Sequence, residues 1–364
     1  MSQVSGEIVG ETSLRVWGLP SAQRLRRQLR RAGAGEAPAE RAVLLRADWV
    51  YDQPIVQALV AAREDCVLIA DDGRAVAASV GAERQDEARA ALAACQGPPG
   101  VRTLRVAELA SGYDGKLRKR EQPYLLPLTP ETLPAVERRV FGGAYKGVTD
   151  VVTLYAWPAP ARAATRFCAR HGITPNQVTF LSLLLVLAAL WLFWTGRYGL
   201  GLVAAWAMTF LDTVDGKLAR VTLQSTRFGD VFDHGIDLIH PPFWWWAWIV
   251  GLPAAGLPLQ DPATVLAVIV IGYVVQRLEE GAFIAWFGMD MHTWRRFDSR
   301  FRLITARRNP NLILLTCSAL AGRPDIGIVA VALWTVLSLL VHTVRIVQAA
   351  MQRRQGPLRS WLAP

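Results

Sequence analysis

The sequence predicts two parts of different fold class: a soluble α/β domain, then an all-α polytopic membrane domain with six transmembrane helices. The chain has 364 residues, which is enough for two domains. It is 52% hydrophobic with 14 Trp and a mean hydropathy of +0.23, which is too apolar for an ordinary soluble protein. The apolar residues are concentrated in the second half, where long uncharged stretches recur.

Changes in composition along the chain give the predicted domain boundaries. They separate a cytosolic α/β domain, a basic connector with an interfacial helix, a six-helix membrane domain and a cytosolic tail, at residues 1–140, 141–172, 173–352 and 353–364.

The first domain shows short apolar runs that alternate with helical patterns. The strands are predicted at 42–46, 66–70 and 74–80, and the helices at 21–31, 53–63 and 87–95. This alternation favours an α/β domain with a mostly parallel sheet. The stretch around Asp48 loosely resembles the acidic turn of sugar-nucleotide nucleotidyltransferases, but residues 9–15 do not supply that family's phosphate-cradling loop. We therefore expect a degenerate nucleotidyltransferase-like module.

Six predominantly apolar stretches predict the membrane spans, at 177–194, 199–220, 230–252, 262–287, 309–322 and 326–352. Six arginines lie in the loop between the fourth and fifth spans. The loops on the other side contain only two basic residues, Arg197 and Arg323. The positive-inside rule then places both termini in the cytosol, in a bacterial-type inner or cell membrane. Residues 1–20 show no signal-peptide pattern, which agrees with this orientation.

The net charge of +10 could indicate a nucleic-acid partner. In a chain with membrane spans, however, basic residues more often face anionic lipid headgroups. We expect membrane lipid and no nucleic acid as a partner. The Cys residues are scattered without a CxxC motif and are expected to be free thiols, at positions 66, 95, 168 and 317.

Four acids follow the second apolar stretch and open the third. Asp212 and Asp215 are three residues apart and Asp233 and Asp237 four apart, so on helices each pair projects from one face. Carboxylates this close repel one another in a poorly hydrated site, and divalent cations remove that repulsion. Oxygen-only ligands suit two Mg²⁺ or Mn²⁺ ions, which could clamp a phosphoryl group. The alternative is that the acids sit at helix ends and pair with basic neighbours such as Lys217.

Small residues interleave with these acids, and Gly216 and Ala219 would let a nucleotide approach the helix backbone. The pattern D-x2-D-G-x2-A-R-x8-G-x3-D-x3-D resembles the signature of the CDP-alcohol phosphotransferase family of integral membrane enzymes. All its positions are present, as Asp212, Asp215, Gly216, Ala219, Arg220, Gly229, Asp233 and Asp237. The resemblance covers roughly residues 150–352 and does not extend to the first 140.

This resemblance implies a transferase that moves a substituted phosphate from a CDP-alcohol, such as CDP-diacylglycerol, to an acceptor alcohol with release of CMP, in phospholipid biosynthesis. It also implies that Asp212, Asp215 and Asp233 hold two Mg²⁺ or Mn²⁺ ions, and that Asp237 is the general base and touches one ion. By family analogy the protein forms a homodimer.

The resemblance assigns nucleotide contacts to residues at the starts of the first and third spans and around the first acid pair, namely Asn176, Thr179, Gly216, Ala219, Arg220, Thr226 and Gly229. Thr174 and Pro175 also look like a helix start, so capping could explain part of the first signal.

An Arg-rich loop is suited to an acceptor phosphate or the donor headgroup, because guanidinium forks pair with phosphate oxygens. Its candidates are Arg295, Arg296, Arg300, Arg307 and Arg308. A loop that only faces anionic lipid would also carry them. Arg277, Glu279 and Glu280 in the fourth span either serve the reaction or pair with each other. The Trp residues at 244, 245, 246 and 248 are expected to pack or form an interfacial belt.

Two other functions stay open. A bifunctional cytidylyltransferase/CDP-alcohol phosphotransferase would make its own donor in the first domain. An ion or proton transporter would also place acids in membrane helices, but it does not explain the spacing of Gly216, Ala219 and Gly229. The sequence does not identify the acceptor; inositol phosphate, glycerol phosphate and other polyols fit.

Overall fold

The computed structural model describes residues 4–115 and 117–363, apart from the side chains of residues 227, 228 and 230. The chain divides into two compact units. One comprises Met1–Tyr145 with Arg220–Leu223, and the other comprises Lys146–Ala219 with Gln224–Pro364.

The first unit is an α/β domain, as predicted. Its strands are β1 Val4–Val9, β2 Arg15–Val16, β3 Leu19–Pro20, β4 Arg41–Arg46, β5 Trp49–Tyr51, β6 Cys66–Ile69, β7 Ala75–Gly81, β8 Arg102–Leu104, β9 Tyr113–Asp114, β10 Lys119–Arg120 and β11 Leu125–Pro127. Its helices are α1 Ser21–Ala32, α2 Gln53–Ala61, α3 Gln85–Ala93, α4 Val106–Leu109 and α5 Leu133–Gly143.

The main sheet is mixed, so the expectation of a mostly parallel sheet is wrong. Its order is β1-β4-β7-β6-β8; the outer pairs β1–β4 and β6–β8 are parallel, whereas β7 runs antiparallel to both β4 and β6. The reason is local. Only a short turn separates β6 from β7, with Gly73 at a φ of +85°, and a short turn can join only antiparallel strands.

The strand β4 is buried on both faces of this sheet. Val43 and Leu45 pack in one cluster with residues of α1 and α2, while Ala42 and Leu44 pack in another with residues of α3. A strand covered on both sides has no polar face, which explains its continuous apolar sequence. Burial of each Leu contributes about 1.5–3 kcal/mol to the stability of this core.

The second unit is helical. Its helices are α6 Pro158–Arg170, α7 Pro175–Trp194, α8 Tyr198–Val221, α9 Arg227–Gly251, α10 Pro262–Phe287, α11 Arg296–Phe301, α12 Arg308–Leu320 and α13 Pro324–Arg353. Helices lie at all six places where spans are predicted. Within the part of the chain that the structure describes, three of them, α7, α10 and α13, are long and apolar enough to cross a membrane. A membrane protein is therefore supported, and six spans stay a prediction.

Tryptophans of α9 form the centre of the helical core. Trp244, Trp245 and Trp248 are buried, and two of their indole N–H groups donate to backbone carbonyls, from Trp244 to Val186 and from Trp248 to Pro324, both at 3.0 Å. A buried indole needs such a partner. These bonds attach α9 to α7 and to the start of α13.

A proline in α9 produces a further contact between helices. Pro242 has no N–H, so the carbonyl of Leu238 lacks its helical donor. The hydroxyl of Tyr273 on α10 donates to that carbonyl at 2.9 Å. The broken helical bond is therefore replaced by one that connects α9 with α10.

The close approach of α7 and α9 generates the first testable prediction. A Cβ on Gly251 would lie 2.0 Å from the carbonyl oxygen of Phe193 and 3.1 Å from that of Trp194, and backbone atoms cannot move aside easily. We expect Gly251→Ala to destabilise the helical unit by about 1–3 kcal/mol, as overpacking does. Thermal unfolding in detergent, followed by circular dichroism, measures this.

The matched control is Gly199→Ala in α8, where a Cβ meets no atom within 4 Å. Removing a helical glycine there should leave the unfolding temperature unchanged or raise it. Equal unfolding temperatures for Gly251→Ala and the unmodified chain would show that α7 and α9 are not packed this closely.

Candidate metal and nucleotide site

The start of α9 sets where its acids lie. The side chain of Thr226 accepts a hydrogen bond from the backbone N–H of Gly229 at 3.0 Å, which is an N-cap. From this fixed start, Asp233 lies on the second turn of the helix and Asp237 one turn further on. The acids of α8, Asp212 and Asp215, are likewise one turn apart.

Three of the four carboxylates converge. Oxygen atoms of Asp212, Asp215 and Asp233 all lie within 4.8 Å of one another. Asp215 is 2% exposed; its Oδ2 accepts a hydrogen bond from the Thr179 hydroxyl at 2.6 Å, while its Oδ1 is buried without a partner among the described residues. An orphaned buried carboxylate oxygen within an all-carboxylate donor set fits a hard divalent cation such as Mg²⁺ or Mn²⁺.

The fourth carboxylate has a different neighbour. The guanidinium of Arg308, at the first position of α12, forms ion pairs with both Asp237 and Asp212. The Asp237 side chain is 42% exposed, compared with 18% for Asp212. Asp237 therefore lies at the accessible edge of the acidic group.

A second group could also hold a cation by distance alone. Ligand atoms of Glu280, His292 and His342 lie within 4.8 Å of one another. However, Glu280 already forms an ion pair with Arg307 and another with Arg277 at 3.2 Å. Of these two groups, the one on α8 and α9 has the larger uncompensated negative charge and is the better cation site. The pairing of Arg277 with Glu280 also supports the structural interpretation of these intramembrane charges.

Three of the predicted nucleotide residues adjoin one another. A Cβ on Gly229 would lie 2.6 Å from Oδ1 of Asn176 and 3.1 Å from the hydroxyl of Thr226, so only glycine fits there without a shift. On α8, Gly216 and Ala219 follow the first acid pair one turn apart and are partly exposed. Small residues thus leave the backbone beside the carboxylates open on α8, and Arg220 follows them near the end of that helix.

The start of α7 separates capping from the candidate contacts. Thr174 and Gln177 form a capping box, in which the Gln177 side chain accepts from the backbone N–H of Thr174 at 2.9 Å. Capping therefore does not involve Asn176, which contacts the Gly229 region, or Thr179, which donates to Asp215. Both side chains remain available as site residues.

The five candidate arginines have different surroundings in the structure. Arg295 lies over the ring of Trp294 at 4.5 Å, and Arg296 lies over Trp361 at 5.4 Å. Arg300 is exposed on α11. Arg307 pairs with Glu280, and Arg308 is the one among them that the structure pairs with the acids of the site.

Two features of the site have no signal in the sequence. The side chain of Asn309, which follows Arg308, donates to Oδ1 of Asp150 at 2.9 Å, and both residues are buried. His240 lies on α9 one turn beyond Asp237, with a buried Nε2 that has no partner in the described chain. Asp150 and Asn309 are 159 residues apart, so no local sequence pattern could have predicted their contact.

Residues 172–293 match the family model described as CDP-alcohol phosphatidyltransferase. The match confirms the resemblance given by the acidic motif, and the matched segment contains all four acids.

Similar proteins include the phosphatidylinositol phosphate synthase of Mycobacteroides abscessus, 34% identical over 33% of this chain and 57% of that protein. Another is the bifunctional IPC transferase and DIPP synthase of Rubrobacter xylanophilus, 27% identical over 56% of this chain and 44% of that protein. The chain thus spans about half the length of these two relatives. A crystal structure of Mycobacterium tuberculosis phosphatidylinositol phosphate synthase with manganese and citrate matches with a TM-score of 0.40 and 20% identity, over 50% of this chain and 87% of that one.

The hydrogen bond from Thr179 to Asp215 generates a prediction about metal affinity. Thr179→Val keeps the shape of the side chain but removes the donor that orients the carboxylate. We expect affinity for Mn²⁺ to fall by about 10–100-fold, as is usual when a group that orients a metal ligand is lost. Electron paramagnetic resonance of free Mn²⁺ during a titration of the detergent-solubilised protein measures this.

Asp215→Asn sets the lower limit for the same titration, because it removes the ligand itself. Thr264→Val, at the exposed start of α10, is the matched control and should bind Mn²⁺ as the unmodified chain does. Unchanged affinity in Thr179→Val would exclude the hydroxyl from the metal site.

Proposed function

We propose that this protein transfers a substituted phosphate from a CDP-alcohol to an acceptor alcohol and releases CMP, in phospholipid synthesis. The observation that carries the proposal is the convergence of Asp212, Asp215 and Asp233 on two packed helices, beside the accessible carboxylate of Asp237. A transporter would also need buried acids. A transporter would have no need for Gly229, which leaves room for the Asn176 side chain near the acids.

In this reaction the acceptor oxygen attacks the phosphorus that carries the alcohol of the donor. A new P–O bond forms, the bond to the bridging oxygen of the diphosphate breaks, and CMP leaves with that oxygen. Two Mg²⁺ or Mn²⁺ ions bound by Asp212, Asp215, Asp233 and Asp237 would neutralise the diphosphate and polarise its phosphoryl oxygens. Asp237 lies at the exposed edge of the group, where it can accept the proton of the acceptor hydroxyl.

The nucleotide part of the donor is assigned to the small residues and the α7 start. Gly216, Ala219 and Gly229 let the backbone approach the CDP, while Asn176 and Thr226 supply polar atoms next to Gly229. Arg220 is assigned to the nucleotide phosphates on the family resemblance.

An apolar groove on α7 and α9 supports a lipid donor. Its volume is about 570 Å³, and it is lined by Leu183, Val186, Leu187, Leu190, Val231, Phe232, Gly235, Ile236, Ile239, His240, Phe243 and Trp244. The α9 residues of this lining surround Asp233 and Asp237 in sequence, so the groove begins on the helix that carries the acids. If the diphosphate of the donor binds at the acids, its acyl chains can lie in this apolar groove. CDP-diacylglycerol has such chains.

For the acceptor we propose a phosphorylated polyol, in agreement with the similarity to the M. abscessus phosphatidylinositol phosphate synthase. The two adjacent arginines at the start of α12, Arg307 and Arg308, are the candidates for its phosphate, and Arg295, Arg296 and Arg300 are assigned to the cytosolic lipid surface or an approaching phosphate.

The finer predictions on topology belong to the same proposal. Six spans with both termini and the acidic site in the cytosol follow from the loop charges, and a homodimer follows from the family resemblance. The boundaries proposed for the domains are residues 1–140, 141–172, 173–352 and 353–364.

The first domain is proposed not to be a catalyst. Asp48, the candidate metal ligand, accepts hydrogen bonds from Nε and Nη2 of Arg46 at 3.0 and 2.7 Å. The hydrogen bonds to Asp48 raise the pKa of Arg46 above its ordinary value, and the ion pair leaves this carboxylate less suited to bind a metal. The bifunctional R. xylanophilus relative nevertheless keeps the two-step alternative open to test.

The general-base assignment is tested with Asp237→Asn. The amide cannot accept a proton, so we expect CMP release from CDP-diacylglycerol and inositol phosphate to fall by at least 100-fold while binding of the CDP-alcohol persists. Turnover by the purified full chain and nucleotide affinity are measured across Mn²⁺ concentrations. Recovery of turnover at high Mn²⁺ would make Asp237 a metal ligand only.

A donor and acceptor panel with the unmodified chain tests the wider proposal. It compares CDP-diacylglycerol with a water-soluble CDP-alcohol, and inositol phosphate with inositol and glycerol phosphate. Asp233→Asn is the inactive reference, and Asp325→Asn, at the other end of the helical unit, is the control. If no CDP-alcohol yields CMP with any acceptor, the proposed transferase activity is excluded.

The role of the first domain is tested by pyrophosphate release. The full chain, incubated with CTP and polyol phosphates, should release none above background, because the phosphate-cradling loop is missing and Asp48 is paired with Arg46. Release that Asp48→Asn abolishes and Asp233→Asn does not would establish the bifunctional enzyme instead.

A further inference from the structure

Arg308 occupies a position between two predicted metal ligands. Its guanidinium bonds to Asp212 and Asp237, one on α8 and one on α9, and its side chain is only 14% exposed. The Nε atom is buried and has no hydrogen-bond partner within the described chain. The guanidinium therefore uses both of its terminal nitrogens on the acids of the site.

The backbone of Arg308 is anchored from a distant part of the chain. Asn309, which is 5% exposed, donates to Asp150, and this carboxylate also accepts from the N–H groups of Val152 and Thr153 at 3.1 and 3.0 Å. Burial alone would raise the pKa of Asp150, but Arg302 and these hydrogen bonds lower it below its ordinary value. These bonds fix the backbone at the start of α12. The long Arg308 side chain can still rotate about its own single bonds.

The charges of the site limit which cations can be present together. The four carboxylates, Asp212, Asp215, Asp233 and Asp237, and the guanidinium of Arg308 leave three negative charges. One divalent cation reduces this to one negative charge. A second divalent cation would make the group net positive with Arg308 in place, and it would compete with the guanidinium for the oxygens of Asp212 and Asp237.

A nucleotide diphosphate changes this balance. It brings at least two negative charges to the site and offers phosphate oxygens, which pair with guanidinium groups as well as carboxylates do. Arg308 can then exchange carboxylate for phosphate without loss of an ionic partner, and the vacated carboxylate oxygens can bind a cation.

We infer that Arg308 holds the place of the second divalent cation in the nucleotide-free site, so that the metal ions load in a fixed order. One ion binds to Asp212, Asp215 and Asp233 without nucleotide. The second binds with the nucleotide, when the guanidinium leaves Asp212 and Asp237. The inference rests on the proposed function, and in it Arg308 couples nucleotide binding to metal binding through its own contact with the diphosphate.

The test counts Mn²⁺ ions bound per chain, using electron paramagnetic resonance of free Mn²⁺ with the full protein in detergent micelles. We expect one ion without nucleotide and two in the presence of saturating CDP. In Arg308→Gln the guanidinium charge is gone, so a second ion should bind without CDP, with at least tenfold higher affinity than in the unmodified chain.

Controls separate this effect from a general change in charge. Arg323→Gln removes an exposed arginine at the N-cap of α13, paired with Asp325, and should keep the dependence on CDP. Arg308→Lys keeps the charge, but one ammonium group cannot fork between two carboxylates, so an intermediate affinity is expected. Thermal unfolding of each variant shows whether it is folded, and Arg308→Lys serves as the main variant if Arg308→Gln is not.

Two ions bound with similar affinity to the unmodified chain without nucleotide would overturn the inference. So would an unchanged single ion in folded Arg308→Gln. Failure of the proposed function gives a different result: either no Mn²⁺ binding that depends on Asp215, or no CMP release from any CDP-alcohol. CMP release together with simultaneous loading of both ions would therefore reject the role of Arg308 alone.

Discussion

Repulsion among carboxylates on two adjacent helices is the constraint on which the rest of the helical unit depends. Carboxylate oxygens of Asp212 and Asp215 on α8 and of Asp233 on α9 lie within 4.8 Å of one another. Like charges at this distance in a poorly hydrated site cost several kcal/mol unless they are compensated. The chain compensates them in part through the Thr179 hydroxyl and the Arg308 guanidinium. The remaining negative charge is what makes the site suited to divalent cations.

The helices that carry these acids are held by contacts that leave little freedom. The indoles of Trp244 and Trp248 attach α9 to its neighbours, and Gly251 allows α7 to approach within backbone contact. The hydroxyl of Tyr273 repairs the hydrogen bond that Pro242 removes. Such a scaffold can hold four acids in unfavourable proximity because each shift of a helix would break buried hydrogen bonds or create a clash.

The first unit has hydrophobic core clusters of its own. Its mixed sheet is covered on both faces, and its one candidate catalytic acid, Asp48, is held by Arg46. The family match starts at residue 172 and gives this domain no function.

The sequence by itself determined what depends on local pattern and spacing. Apolar stretches predicted where six helices lie, and the spacing of the acids with Gly216, Ala219 and Gly229 predicted the family resemblance and the candidate metal ligands, because a helix converts residue spacing directly into a common face. The start of α7 could also be read from Thr174 and Pro175. Tertiary structure decided what depends on chain direction and on contacts between distant residues. The hairpin at Gly73 made the sheet mixed, and no strand pattern encodes the direction of its neighbour. The arginines of one loop look equivalent in sequence, yet Arg308 alone among the five candidates reaches the acids, because Asp150 fixes Asn309 across 159 residues. The reason is that local propensity acts within a few residues, whereas the ionic partner of a side chain is set by which elements the whole fold brings together.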